Sequence, residues 1–215
     1  MPDPVPRHFP VKAAIFEGGL ALVALVLGGI LGVNPMRTLN SGAAAIGWGV
    51  LGALPPLVIL SLVAYLPWPP LRRIVDVIDQ TVVPAFRQSG LAELAIIALL
   101  AGLGEELLFR GVIQEAAARG VEGPHAWWLG LLAASILFGM AHFITPTYAA
   151  LATVMGLYLG GLWLWSDNLV VPIVTHAVYD FVALVYLVKL RRTSPPTRSP
   201  GGAPGQLEDD DLGQA

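Results

Sequence analysis

The chain has no cysteine, and charged residues are scarce. Without cysteine, its 215 residues can form no disulfide, no thiol nucleophile and no cysteine-ligated metal site. Charged side chains make up 13% of the sequence, against roughly 25% in a typical soluble domain, while 55% of the residues are hydrophobic. Apolar runs of about 20 residues, the length that crosses a bilayer as a helix, recur along the chain. The sequence therefore predicts an all-α, polytopic transmembrane helical bundle, with no basic surface of the kind that binds nucleic acid.

Six membrane spans are predicted, separated by polar turns and proline. They form one transmembrane domain over residues 13–190, after a short cytoplasmic N-terminus at 1–12. The last part, residues 191–215, is rich in Pro, Gly and Ser and ends in acidic residues, so it is predicted to be a disordered cytoplasmic tail. The first three spans are placed at about 13–33, 43–66 and 91–118. The fourth ends near 143, the fifth ends near 165, and the sixth occupies 169–190.

Two features refine this topology. Pro55 and Pro56 fall inside the second span and should kink or interrupt it, because each removes a backbone donor. Between the second and third spans, residues 71–88 alternate apolar and charged side chains at helical spacing. This pattern predicts an amphipathic helix, either lying in the membrane interface or serving as a solvated connector.

The basic residues indicate the orientation of the bundle. With the N-terminus inside, the cytoplasmic segments hold nine Lys and Arg residues, whereas the outer loops hold only Arg37 and Arg119. Positive charge is enriched on the cytoplasmic side of membrane proteins. Both termini are therefore predicted to be cytoplasmic.

Three charged residues stand close together in the third span. Glu105, Glu106 and Arg110 interrupt an apolar run, where a charged side chain costs about 2.5–3.5 kcal/mol and is usually functional. Glu106 and Arg110 are four residues apart, so they share a helix face and are predicted to pair. Glu105 points about 100° away and has no partner nearby in the sequence. Gly102 and Gly104 precede it and predict close approach by neighbouring helices.

Further ionisable residues lie in other apolar spans. His142 ends the fourth span, four residues after Phe138, and His176 and Asp180 share a face of the sixth. Spans three, four and six are thus predicted to converge on one buried polar site, while the fifth contributes no ionisable residue. The alternative is purely structural: Glu106 with Arg110 stabilises a helix, and each histidine is an ordinary hydrogen-bonding residue.

Two chemistries suit these residues. In one, Glu105 is a general base that activates a water for attack on a peptide carbonyl, and no cofactor is needed. In the other, the metal ligands are His142 and His176 with the carboxylates of Glu105 or Asp180, and the water bound to Zn²⁺ is the nucleophile. The metalloprotease motif HExxH is absent from the sequence. The residues alone leave both chemistries open.

The order of these motifs resembles one protein family. It is similar to the CPBP intramembrane protease family, which includes the type II CAAX prenyl proteases and the bacterial lysostaphin-resistance-A-like and bacteriocin-immunity (abortive infection) proteins. The resemblance covers about residues 90–185. It rests on three motifs on successive apolar helices: Glu105-Glu106-x-x-x-Arg110, Phe138-x-x-x-His142 and His176-x-x-x-Asp180.

The resemblance implies an intramembrane endopeptidase with a polar cavity enclosed by helices. Glu105 would be the water-activating base, helped by His142. His176 and Asp180 would stabilise the oxyanion or position the water, although an aspartate donates a hydrogen bond only when protonated. The implied structural support comes from Glu106, Arg110 and Phe138.

The expected substrate is a membrane-associated peptide or protein, with a prenylated CAAX-type peptide as one candidate. We expect an integral protein of a bacterial cytoplasmic membrane. A non-proteolytic immunity or scaffold protein is the alternative function.

One difficulty concerns depth in the membrane. With six spans, His142 lies near the inner end of its span and His176 near the outer end of its own, which separates them by more than about 10 Å. A shared site then requires a re-entrant turn at 166–168 or a fourth helix that extends beyond Pro146.

Overall fold

Helices make up most of the residues that the structure describes. This structure, a computed structural model, describes residues 9–66 and 68–190, and no strand occurs among them. Most of the predicted N-terminal segment and all of the predicted tail lie outside these residues. The helices are α1 (Phe9–Leu31), α2 (Ala43–Gly52), α3 (Leu54–Tyr65), α4 (Pro69–Phe86), α5 (Leu91–Glu106), a π-helical segment (Leu107–Gln114), α6 (Glu115–Arg119), α7 (Ala126–Ala141), α8 (Pro146–Ser166), α9 (Val170–Val185) and a π-helical end (Tyr186–Leu190).

The predicted spans coincide with helices. Four stretches among the described residues are long and apolar enough to cross a membrane, and they match the first, second, fifth and sixth predicted spans: Phe9–Leu31, Ala43–Leu62, Pro146–Ser166 and Val170–Leu190. The third predicted span is helical from 91 to 119 but carries the charged residues. The fourth is α7, whose 16 residues extend about 24 Å, less than the roughly 30 Å of a hydrocarbon core.

Proline and helical periodicity predicted two local features correctly. The helix breaks at Ala53, which separates α2 from α3, and Pro55 and Pro56 lie in the first turn of α3. The amphipathic pattern is α4, which buries its apolar face and packs against α1 and α8. This face is therefore turned toward the bundle.

The centre of the bundle is a close packing of α5 with its neighbours α1 and α9. A Cβ atom at Gly102 would lie 2.8 Å from the carbonyl oxygen of Ile173 and 2.9 Å from the backbone nitrogen of Ala177, both in α9. A Cβ at Gly104 would collide with the carbonyl oxygen of Glu17 in α1. The predicted close approach at these glycines is confirmed.

One of the two suggestions about depth in the membrane is excluded by where the helices end, and the re-entrant turn at 166–168 stays a prediction. α7 stops at Ala141, so the suggestion that the fourth helix extends beyond Pro146 is wrong. A new helix begins at Pro146 because the Oγ1 of Thr145 accepts a hydrogen bond from the backbone nitrogen of Tyr148 at 3.1 Å. His142 thus ends a short helix, and its position is not that of a residue at the end of a full span.

The close packing at Gly104 leads to a stability prediction. We expect Gly104→Ala to lower the free energy of unfolding by about 1–3 kcal/mol, because the nearest atom it would meet is the backbone carbonyl oxygen of Glu17 in α1, which cannot rotate away. Gly29→Ala is the matched control, since no atom lies within 4 Å of its added Cβ. Melting of both variants in one detergent tests this, and equal melting temperatures for the two would contradict it.

Candidate active site

A buried ion pair lies at the start of the π-helical segment. The Nη1 of Arg110 donates to the Oε1 of Glu106 at 2.8 Å, and the two side chains are 1% and 0% exposed. The Nη2 of Arg110 donates to the carbonyl oxygen of Gly156 in α8 at 3.0 Å. The pairing predicted from the four-residue spacing is therefore present, and it also ties the third span to α8. Irregular π-helical turns of this kind are frequent at functional sites.

His176 lies between two carboxylates. Its Nδ1 is 2.9 Å from the Oε1 of Glu106, and its Nε2 is 3.5 Å from the Oδ2 of Asp180. The same Glu106 oxygen thus contacts both Arg110 and His176. Each nitrogen of the imidazole ring faces a carboxylate oxygen, and this fixes the orientation of the ring.

Glu105 faces the other histidine. Its Oε2 is buried, makes no hydrogen bond, and lies 3.6 Å from the Nε2 of His142. The Nδ1 of His142 is 2.9 Å from the carbonyl oxygen of Phe138. A carbonyl only accepts hydrogen bonds, so the hydrogen of a neutral ring belongs on Nδ1, and Nε2 is left as an acceptor. Two hydrogen-bond acceptors therefore face each other across a gap too wide for a direct hydrogen bond.

The ring of Phe138 lies at the centre of these groups. It stacks on His142 with ring centroids 4.4 Å apart. It also forms an edge-to-face pair with His176, with ring centroids 6.0 Å apart. The guanidinium carbon of Arg110 lies 4.6 Å from its centroid. The three sequence motifs therefore meet around one aromatic ring, and both histidines belong to a single site.

A cavity of about 340 Å³ opens beside this site. Phe138, His142, His176 and Asp180 lie on its wall. The remaining wall is mostly apolar, and α4 contributes one side of it with residues of its buried face. The sequence predicted a polar cavity, but the cavity is polar mainly where the motif residues line it. The role of α4 as a wall was not foreseen.

Two residues near the site were missed from the sequence. Glu17 of α1 interacts electrostatically with Glu105, His176 and Asp180, and its Oε2 is buried without a hydrogen bond. As a lone carboxylate inside a predicted span, it carries the signal that marks Glu105. Tyr148 of α8 lines the cavity, so the fifth span also supplies a polar group.

The arrangement does not resemble a metal centre. Among the described residues, no group of three or more His, Asp and Glu side chains could hold a metal ion. Both nitrogens of His176 face carboxylates, and the Nδ1 of His142 contacts a carbonyl oxygen. The zinc alternative stays a prediction that these residues do not favour.

Comparisons with known proteins agree with the motifs. Residues 87–182 match the Rce1-like family model, described as type II CAAX prenyl endopeptidase Rce1-like. A curated relative, the uncharacterized protein YpbD of Bacillus subtilis (strain 168), is 31% identical over 100 residues, which cover 45% of this chain and 47% of YpbD. The match thus spans about half the length of this relative. No solved structure matches. The resemblance predicted from the motifs is confirmed, and with its apolar helices the chain is an integral membrane protein.

The burial of the Glu106–Arg110 pair predicts a large effect of mutation. We expect Arg110→Met to lower the free energy of unfolding by about 3–5 kcal/mol, because it removes a cation from a fully buried carboxylate. Arg119→Met is the matched control. Arg119 also pairs with a glutamate four residues earlier, but its side chain is 48% exposed and Arg37 remains as a second partner of Glu115. Similar losses in denaturant titrations of the two variants would contradict the prediction.

The buried Oε2 of Glu17, which makes no hydrogen bond, predicts a mutation that stabilises the protein. We expect Glu17→Met to raise the free energy of unfolding by about 1 kcal/mol, because an apolar side chain of similar length removes a buried acceptor that has no hydrogen bond. Glu93→Met is the control and should be destabilising, since the Oε2 of Glu93 accepts a hydrogen bond from the backbone nitrogen of Gly90 at 2.9 Å. A lower melting temperature for Glu17→Met would show that its carboxyl has a stabilising partner.

Proposed function

We propose that this chain, whose residues 87–182 match the Rce1-like family model, is an intramembrane endopeptidase in which Glu105 activates a water. The observation that carries this proposal is the pair of buried acceptors, the Oε2 of Glu105 and the Nε2 of His142, 3.6 Å apart. When two polar atoms lie farther apart than the length of a hydrogen bond, a water molecule can bridge them. The adjacent cavity supplies room for a substrate.

The chemistry follows from the two acceptors. A water beside them donates one hydrogen to Glu105 and one to His142, which leaves an oxygen lone pair free to attack. As the water oxygen bonds to the carbonyl carbon of the substrate, the carboxylate of Glu105 takes a proton and the carbonyl oxygen becomes an oxyanion. The proton then passes to the departing nitrogen and the C–N bond breaks. The products are a carboxylic acid and an amine.

The other motif residues position this pair. The contacts of Arg110 with Glu106 and Gly156 hold the third span against α8. The contacts of His176 with Glu106 and Asp180 orient its ring beside Phe138. An ionised Asp180 cannot donate a hydrogen bond, so we assign it to the orientation of His176 and not to direct contact with an oxyanion.

The cavity suggests the class of substrate. Its apolar wall suits an apolar part of a membrane-associated peptide, and its polar end lies beside Glu105 and His142. A prenylated CAAX-type peptide is the finer candidate. We place the protein in a bacterial cytoplasmic membrane with both termini in the cytoplasm, as the distribution of Lys and Arg indicates.

The test is cleavage by purified protein in liposomes. A fluorogenic peptide with a lipid anchor is the probe, offered with and without a prenyl group, and its products are identified by mass spectrometry. We expect Glu105→Gln to lower kcat by about 10²–10⁴, the usual contribution of a general base. Glu93→Gln is the matched control in the same helix and should retain activity, because Glu93 serves as a helix cap.

Three outcomes would count against this mechanism. Equal cleavage by wild type and Glu105→Gln would exclude Glu105 as the base. Loss of activity in a chelator, restored by Zn²⁺, would favour the zinc version. A wild-type protein that cleaves no peptide, while Glu105→Gln retains its effect in cells, would indicate a scaffold or immunity protein.

A further inference from the structure

The proposed peptidase needs a hydrogen-bond donor for the oxyanion, and this need is the starting point of the inference. Negative charge develops on the carbonyl oxygen in the transition state, and an oriented donor there is worth a factor of about 10²–10³ in kcat. The inference rests on the proposed function. Its test therefore separates the failure of one from the failure of the other.

The nitrogen atoms of the two histidines are already committed. Those of His176 face the carboxylates of Glu106 and Asp180. The Nδ1 of His142 contacts the carbonyl oxygen of Phe138, and its Nε2 faces Glu105. Carboxylates only accept when ionised. The motif residues on the cavity wall are Phe138, His142, His176 and Asp180, and none of these offers an uncommitted donor to the oxyanion. Arg110 has further N–H groups, but it is buried and is not among the residues that line the cavity.

Tyrosines are the other side chains on the cavity wall that can donate. These are Tyr148, Tyr179 and Tyr186. Tyr179 interacts electrostatically with Asp180 and with Tyr148, and Tyr186 belongs to the π-helical end, ten positions beyond His176. Tyr148 is the one that interacts electrostatically with both Glu105 and Asp180.

Tyr148 is also well placed and rigidly held. It occupies the first turn of α8, where its backbone nitrogen donates to Thr145. The connection from α7 to α8 that ends there begins at His142, and the rings of His142 and Tyr148 have centroids 6.5 Å apart. Within the described part of the chain, the phenol oxygen of Tyr148 makes no hydrogen bond. The side chain is half-buried and lines the cavity, and its hydroxyl is not among the fully buried polar atoms that lack a partner, so it is accessible to a ligand in the cavity.

We propose that Tyr148 is a further catalytic residue, whose phenol O–H donates a hydrogen bond to the oxyanion formed as the water adds to the substrate carbonyl. The phenol keeps its proton throughout the reaction, and only the hydrogen bond strengthens as charge develops. Glu105 and His142 then act on the attacking water, while Tyr148 acts on the carbonyl oxygen of the substrate.

The experiment compares Tyr148→Phe with Tyr158→Phe, a tyrosine of the same helix, using the fluorogenic peptide in liposomes. Tyr148→Phe keeps the ring and loses only the hydroxyl. We expect its kcat and kcat/KM to fall together by about 10²–10³ with little change in KM, as for a contact made only in the transition state. Tyr158→Phe should keep the wild-type kcat, because Tyr158 is not among the residues that line the cavity and its hydroxyl donates to the carbonyl oxygen of Gly52 at 2.7 Å.

A second readout separates chemistry from structure. A peptide phosphinate mimics the tetrahedral anion, so its affinity should fall with Tyr148→Phe by a factor similar to that in kcat, while an uncleaved peptide amide binds unchanged. Equal weakening of both ligands would indicate a structural role and overturn the inference.

The remaining outcomes are equally clear. Wild-type kcat in Tyr148→Phe, with Glu105→Gln inactive, overturns the inference and leaves the peptidase intact. Full activity of Glu105→Gln removes the proposed mechanism itself. If Tyr148→Phe does not fold, fluorotyrosine at position 148 retains the hydroxyl and changes its acidity, and an unchanged kcat there would overturn the inference.

Discussion

The structure depends on one carboxylate, that of Glu106, which is 0% exposed and contacts Arg110 and His176 through the same oxygen. A charge buried without partners costs several kcal/mol, so this group requires both. The contact of Glu106 with His176 holds α9 against the third span. The contact of Arg110 with the carbonyl oxygen of Gly156 holds α8 against the same span. The positions of three helices follow from the demand of one buried ion.

This demand also explains why two glutamates stand side by side. Adjacent residues on a helix point about 100° apart, so the partners of Glu106 cannot also satisfy Glu105. Glu105 is left with a buried oxygen that makes no hydrogen bond and faces His142. Glu106 also keeps a buried Oε2 without a hydrogen bond, but its Oε1 is held by both Arg110 and His176. The two glutamates therefore differ in their partners: Glu106 is tied to the scaffold through Oε1, whereas Glu105 faces His142 across a gap.

The sequence predicted those features that depend on local spacing. The helices, the break before Pro55 and the pairing of Glu106 with Arg110 follow from periodicity and backbone chemistry. Which residues meet across helices was predicted less well. The ring of Phe138 joins both histidines because α7 stops at Ala141, and periodicity does not determine where a short helix ends. Likewise, the pattern of α4 shows which face is apolar but not what covers it. Glu17 could have been found from the sequence by the rule already applied to Glu105, that a carboxylate inside an apolar span is usually functional.

The site contains more hydrogen-bond acceptors than donors, and this imbalance constrains any mechanism. Carboxyl groups from α1, α5 and α9 surround it: Glu17, Glu105, Glu106 and Asp180. The cations and N–H groups nearby are those of Arg110 and the two histidines, and most of these already contact the scaffold. Such a site suits the withdrawal of protons from a water but opposes the formation of a further anion, because electrostatic interactions are strong where water is excluded. An oxyanion beside these carboxylates therefore needs its own neutral donor, and the hydroxyl of a tyrosine meets that need without adding charge.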